Sequence, residues 1–139
     1  MDIDLITNIL YATLRTGTPL ILIALGEMVC EKSGVLNLGQ EGMLLVGAVV
    51  GFIAAYVTGS YGLGVALAMI GGSAMALLFG WLSITLATNQ IATGLALTIF
   101  GGGLSAFIGA SYVGIGLEGI QSIYIPVLSD IPVIGRVLF

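Results

Sequence analysis

Between Gly42 and Leu117 the chain carries no charged residue, a run of about 76 positions where about 20 apolar residues suffice to cross a bilayer. Polar turn signals divide it: Thr58-Gly59-Ser60 and Thr88-Asn89-Gln90 leave three segments, 42–58, 61–87 and 91–113. As helices rising ~1.5 Å per residue, these would be roughly 24, 40 and 35 Å long. The apolar positions do not alternate at period 2, and Gly and Ala are too frequent for strands. Ahead of this run, Leu5, Ile6, Ile9, Leu10 and Leu14 share one helical face, with Asp4, Asn8 and Arg15 opposite. Thr16-Gly17-Thr18-Pro19 interrupts that pattern, and Leu20–Val29 is apolar apart from Glu27. One reading is an amphipathic stretch lying in the membrane interface. The other, which we favour, is a continuous Pro-kinked span over 5–29, with Arg15 inside it at a cost of about 2.5–3.5 kcal/mol unless it pairs or snorkels.

The pattern changes again after Leu117. Glu118, Gln121, Tyr124, Pro126, Asp130 and Pro132 read as a loop with a short interfacial helix over 114–133. Residues 133–139 turn apolar once more, as a further span would at its start, and the chain reads as a truncated one. The expected fold is all-α: a single polytopic membrane domain over 1–139, with four transmembrane helices (5–29, 42–58, 61–87, 91–113) and an interfacial segment.

Composition agrees with a lipid solvent. Of 139 residues, 58% are hydrophobic and 7% charged, and the mean hydropathy is +1.19. A soluble domain averages about 25% charged residues, so this chain cannot cover its surface with polar groups. Seven acidic residues against three basic ones give a net charge of −4. There is no His, one cysteine (Cys30) and one lysine (Lys32). Those counts argue against zinc sites, Ser–His–Asp or Cys–His catalysis, disulfide frameworks and the lysine of a phosphate-binding P-loop. Three cations also cannot neutralise a row of phosphates, which argues against nucleic acid as a partner. The chain is expected to be no enzyme and to bind no metal or cofactor of its own. Lys32 alone would place the loop after the first span in the cytoplasm, but Glu31 beside it offsets that signal. The start, Met1-Asp2-Ile3-Asp4, is acidic where a secretory signal opens basic.

Helices in lipid associate by close packing, and small residues recur here at spacing four: Gly47/Gly51, Gly72/Ala76/Gly80 and Gly102/Ala106/Ala110. Gly71-Gly72 and Gly101-Gly102-Gly103 also fall inside apolar segments. Each glycine costs a helix about 1 kcal/mol relative to Ala. Gly71-Gly72 is better explained by tight crossing. For Gly101, Gly102 and Gly103, tight crossing and a mid-membrane helix break that would line a polar path weigh equally.

Polar residues concentrate in one place. Glu27, Glu31, Lys32, Ser33, Asn37, Gln40 and Glu41 lie within fifteen positions, with apolar sequence on both sides. Glu27 and Glu31 share a helix face, and Gly34, Gly39 and Gly42 permit tight turns and close backbone approach. Lys32 and Ser33 read as ordinary loop residues. Glu27, Asn37 and Glu41 adjoin long apolar runs and are expected to be buried, since a carboxylate at membrane depth points to function or to a fixed structural partner.

The stretch Gly26-Glu27-Met28-Val29-Cys30-Glu31-Lys32-Ser33-Gly34-Val35-Leu36-Asn37-Leu38-Gly39-Gln40-Glu41-Gly42-Met43 closely resembles a signature of ABC-transporter inner-membrane permeases. The branch it resembles takes up nucleosides and simple sugars and is related to the ribose-type and branched-chain amino-acid permeases. Thr18-Pro19, Val46-Gly47-Ala48, Asn89 to Leu97 and Ile131 to Gly135 fit the same pattern in register. Subunits of that family are about twice this long, so the resemblance covers an N-terminal half and leaves the loop that docks on the ATPase outside it. It implies a multi-pass protein of a bacterial-type cell (inner) membrane, powered by a separate ATP-binding subunit. It also implies a substrate-binding lipoprotein and a second permease subunit, the two permeases framing a central path. On that basis Asn37, Gln40, Asn89, Gln90 and Thr93, uncharged donors and acceptors suited to ribose hydroxyls or base edges, are candidate path residues. Glu27, Glu31 and Glu41 are expected to fix the fold, together with Gly34, Gly39, Gly42 and the Gly101–Gly103 triplet.

Two rival functions use other features. A small proton-coupled multidrug-type exporter would need one isolated membrane carboxylate, for which Glu27 is the candidate, but it would not need so dense a polar hairpin. A non-transporting fragment or scaffold would lack downstream permease sequence and a neighbouring ATPase gene.

Overall fold

A computed structural model describes residues 3–119 together with 125, 126 and 129. The described residues are helical, with no strand among them: α1 (Ile3–Lys32), α2 (Gln40–Thr58), α3 (Tyr61–Gly80), a π-helical turn (Trp81–Thr85), α4 (Gln90–Gly109) and a 3-10 turn (Ala110–Tyr112). Four stretches are long and apolar enough to cross a membrane: Asp4–Lys32, Gln40–Thr58, Tyr61–Thr85 and Gln90–Tyr112. The first and second helices thus begin slightly earlier than the sequence pattern suggests, and the third ends in a π turn two residues before Ala87. The expected interfacial helix over 114–133 and the apolar stretch 133–139 fall largely or wholly outside the described residues.

Glu27–Glu118 forms one compact unit, and the α1 residues before Glu27 belong to a second. In that second unit α1 passes unbroken through Pro19. Proline deletes a backbone donor, and here threonine hydroxyls share the carbonyls of the same stretch. Thr13, Thr16 and Thr18 donate to Ile9 O, Ala12 O and Leu14 O at 2.8, 2.9 and 2.7 Å. Each hydroxyl thereby satisfies itself within the helix, as a polar group in lipid must.

In the Glu27–Glu118 unit, α2 is the central helix and packs on both α3 and α4. The α2–α3 crossing is built from small residues. A Cβ placed on Gly51 would lie 2.8 Å from Ala68 Cβ and 3.1 Å from Gly64 O, and one on Gly64 would lie 2.9 Å from Ala55 Cβ. The core is small: Val46, Met75, Phe79 and Leu97 are buried, with Val35, Met43, Val50, Leu78 and Leu104 against them. Most large apolar side chains instead face outward, Phe107 at 83% exposure and Ile99 at 78% among them. A helix in lipid has no reason to hide such groups.

The turns follow the local sequence. Gly59 (φ 66°) closes α2 in the left-handed region, donating to Ala55 O, and Ser60 caps α3 by accepting from Leu63 N–H. Asn89 caps α4, its Oδ1 accepting from Ala92 N–H at 3.0 Å. At the far end of the unit, Tyr112 meets Phe52 and Tyr56 edge-on, with ring centroids 6.5 and 5.8 Å apart.

Candidate functional site

The polar segment between α1 and α2 begins with a helix stop. Gly34 sits at φ 79° and donates to Glu31 O (2.9 Å), while Val35 N–H reaches Cys30 O (3.0 Å). Those two bonds form a Schellman cap, which needs a left-handed residue and so favours glycine. The chain then runs without regular structure from Val35 to Gly39 before α2 starts.

Four side chains satisfy the backbone of this irregular stretch. Gln90 Oε1 accepts from Leu36 N–H at 2.8 Å, and Glu27 Oε1 accepts from Asn37 N–H at 3.0 Å. Thr98 Oγ1 donates to Leu38 O at 2.8 Å, and Asn37 Oδ1 accepts from Gly39 N–H at 2.9 Å, an Asx turn. The second oxygen of Glu27 accepts from Gln40 Nε2 at 2.5 Å. One carboxylate therefore ties the loop backbone to the first residue of α2, a charge-assisted arrangement of the stronger kind.

Glycines let this segment lie directly on α4. A Cβ on Gly94 would meet Leu38 N at 2.8 Å and Gly39 N at 3.0 Å, and one on Gly101 would meet Gly42 O at 2.5 Å. Gly39, Gly42, Gly94 and Gly101 are all buried. Their contact answers the question left open for the glycine triplet: α4 continues as a helix through Gly101, Gly102 and Gly103, and Gly101 serves packing. Gly102 has only Leu45 Cδ1 at 3.9 Å, and Gly103 has open space.

The sequence-derived residues divide as follows. Asn37 is 6% exposed, and Gln40 and Gln90 are half-buried in the bonded cluster just described. Asn89 is exposed and caps α4. Thr93 shares a 2.8 Å hydroxyl contact with Thr88, which also donates to Leu82 O. Asn37, Gln40 and Gln90 are thus brought together, whereas Asn89 and Thr93 belong to the α4 entry turn. Glu27 has two partners and is half-buried. Glu41 departs from expectation: it is exposed in the first turn of α2, where the helix dipole favours an acid without any need for burial. Glu31 is also exposed, in the last turn of α1. Beyond the cluster, an apolar groove of about 500 Å³ between α2 and α4, lined by residues including Leu45, Phe52, Ser105 and Tyr112, contains none of the five candidate path residues.

Sequence reasoning missed Thr98, Gly94 and the π turn. A lone hydroxyl or glycine within an apolar helix is a weak signal, and the π turn has none that we can identify. Buried Ser83 in that turn donates to Phe79 O at 2.7 Å.

Comparison with known proteins places this geometry. The family of branched-chain amino acid transport system permease components matches residues 9–131. The putative glucose ABC transporter permease protein TsgC13 of Haloferax volcanii is 40% identical over 136 residues, covering 95% of this chain and 41% of that protein. The guanosine ABC transporter permease protein NupQ of Bacillus subtilis is 34% identical over 152 residues, covering all of this chain and 47% of that protein. The nucleoside ABC transporter permease protein NupC of Lactococcus lactis is 28% identical over 133 residues, covering 88% and 42%. The chain spans less than half the length of these relatives. No solved structure matches it. The loop that Glu27, Asn37 and Gln90 hold against α4 thus lies in a multi-pass membrane chain that belongs to the branched-chain amino acid transport system permease family.

Proposed function

We propose that this chain is a membrane-embedded part of the permease subunit of an ATP-binding-cassette importer for nucleosides or simple sugars. The match of residues 9–131 to the permease family carries the reading, and the relatives, one for glucose and two for nucleosides, support the solute class. The chain does no chemistry and binds no cofactor. An ATP-binding subunit supplies the energy, a substrate-binding protein delivers the solute, and a second permease subunit completes the path. Solute moves as packed helices switch between two arrangements, each favoured in turn by ATP binding and hydrolysis on the partner.

The neutral polar groups suit such a path, since a route needs hydrogen bonds that are readily exchanged. Gln90 uses its Oε1 on Leu36, and its Nε2 donors are the part suited to a sugar hydroxyl or a base edge. Gln40, Asn89 and Thr93 are the further candidates, while Asn37 acts mainly on Gly39. Glu27, with donors from Asn37 and Gln40, does not resemble the isolated carboxylate of a proton-driven exporter.

The test is uptake of labelled guanosine and glucose into proteoliposomes. They would hold this chain with the remaining permease sequence, ATPase and binding protein encoded beside it. Uptake should require ATP and survive a protonophore. Transport that follows a proton gradient without ATP would overturn the reading, as would coding DNA with no permease continuation and no ATPase neighbour.

A further inference from the structure

We infer that the Leu36–Gly39 loop and the start of α2 lie inside the hydrocarbon layer, with the membrane bounded by Tyr56, Tyr61 and Tyr112 at one end of the Glu27–Glu118 unit and by Trp81 at the other. Tyr56 touches Tyr112, and Tyr61 hydroxyl donates to Glu118 O at the same end. Tyrosine and tryptophan concentrate at the two membrane–water interfaces. From Tyr61 to Trp81, α3 and its continuation rise about twenty residues, or ~30 Å, which equals the hydrocarbon thickness of about 30 Å. Between those rings the outward side chains of α3 are apolar with the exception of Ser73: Leu63, Val65, Leu67, Met69, Ile70 and Leu77 are all exposed. Acyl chains are the occupant that such a face fits.

Helix register then sets the depth of the loop. Gly51 lies beside Gly64, and Gly47 beside Ala68, with Met43 O 3.7 Å from a Cβ on Gly72. Continued one for one, that register places Gln40 opposite Met75, about six residues, ~9 Å, inside the level of Trp81. On the other side, Gly94 meets Leu38 and Gly39, and Gly101 meets Gly42. Gln40 is therefore about seven residues, ~10 Å, deeper than Gln90 at the start of α4. A third measure comes from α1. Gln40 bonds to Glu27, which precedes Lys32 by about five residues, or ~7 Å of helix. All three agree in sign and size. The chain leaves the membrane with Glu31, Lys32 and Ser33, all exposed, and dips back in before α2 begins. Glu41, exposed in the first turn of α2, must at that depth face a polar path or the second permease subunit and not acyl chains.

The hydrogen bonding of the loop has the form that this depth demands. Irregular backbone at membrane depth persists only where its polar groups are satisfied by protein or a water-filled cavity. Side-chain atoms hold Leu36 N–H, Asn37 N–H, Leu38 O and Gly39 N–H. Leu36 and Leu38 are not buried by protein, so in water solvent could serve them, whereas Asn37 and Gly39 need protein partners in either setting.

Two measurements on the full chain in lipid vesicles test the depth without reference to transport, so their failure leaves the permease reading standing. First, in a Cys30→Ser background, a membrane-impermeant maleimide is applied to permeabilised vesicles bearing Lys32→Cys, Leu38→Cys or Met69→Cys. Denatured samples confirm that each thiol is present. Because the reactive species is the hydrated thiolate, Lys32→Cys should label more than about tenfold faster than Met69→Cys, and Leu38→Cys should behave like Met69→Cys. A Leu38→Cys rate close to that of Lys32→Cys overturns the inference. Second, fluorescence of Trp81, the single tryptophan, in the unaltered chain should be quenched more by lipids brominated near the carbonyl than by lipids brominated at mid-chain. Stronger mid-chain quenching removes the boundary and the inference with it.

Discussion

Gly42 and Gly101 meet backbone to backbone, so that a methyl group on Gly101 would stand 2.5 Å from Gly42 O and 2.6 Å from Gly42 Cα. Nothing flexible lies there to give way, and the helices would have to separate. Gly101→Ala is therefore expected to destabilise the protein by about 1–3 kcal/mol, the range for overpacked cores. Gly103→Ala two positions on adds its methyl to open space, and should stabilise α4 by up to about 1 kcal/mol through helix propensity. Reversible unfolding in mixed detergent micelles would read both. Equal effects at the two sites would mean that α2 and α4 do not cross at Gly42.

Glu27 acts through its oxygens as acceptors. Glu27→Gln keeps an oxygen for Asn37 N–H, and the Gln40 amide can turn to offer its own oxygen to the new NH2. Glu27→Leu leaves a half-buried N–H and an amide with no acceptor, at about 1–3 kcal/mol for each such group. The glutamine variant should thus unfold near the unaltered protein and retain ATP-driven uptake, while the leucine variant loses several-fold in folded yield. Loss of transport in Glu27→Gln with full stability would instead mark a proton-carrying carboxylate.

Much of this was legible in the chain. The uncharged run from Gly42 to Leu117 sufficed for three helices, because a bilayer permits few other ways to satisfy backbone at that depth. Thr58-Gly59-Ser60 and Asn89 showed where helices stop and start, since a left-handed Gly and a side-chain cap are local devices. The grouping of Glu27, Asn37 and Gln40 was also visible, because those residues are close in sequence. What sequence could not supply was pairing across long separations. Gln90 joins Leu36 and Thr98 joins Leu38 across more than fifty positions. The glycines that matter on α4, Gly94 and Gly101, are seven apart, so rows at spacing four drew attention to Gly102 instead. Glu41 read as buried because apolar sequence follows it, yet the first turn of α2 points it outward.

The two ends of the Gln90 side chain can be separated by substitution. Gln90→Glu retains an acceptor for Leu36 N–H and loses the Nε2 donors, whereas Gln90→Leu loses both. Stability should fall by about 1–3 kcal/mol in the leucine variant alone. If the donors face the solute, Gln90→Glu should raise the KM for guanosine by about five- to tenfold, the loss of one hydrogen bond of about 1–1.5 kcal/mol, with kcat little changed. An unchanged KM in a folded Gln90→Glu variant would remove Gln90 from the path and leave it as a clamp on the loop.

Ala87 and Gly34 form an opposed pair that tests the turns at the two ends of the bonded cluster. Ala87 has φ 50° where the π turn gives way to the α4 cap, and Gly34 has φ 79° where α1 stops. The left-handed region costs a residue with a Cβ roughly 1–2 kcal/mol, and glycine almost nothing. Ala87→Gly relieves that strain but gives the unfolded chain more freedom, so the net gain should be about 0.5–1 kcal/mol. Gly34→Ala has space for its methyl, with nothing within 4 Å, and so should cost only the backbone term of about 1–2 kcal/mol. The two changes should shift the unfolding midpoint in opposite directions, and any departure from additivity in the double variant would measure coupling through the Leu36–Gln90 bond. A stabilising Gly34→Ala would show that α1 does not end in a left-handed cap. The chain would then leave α1 in another direction and could not carry Leu36 to Gln90.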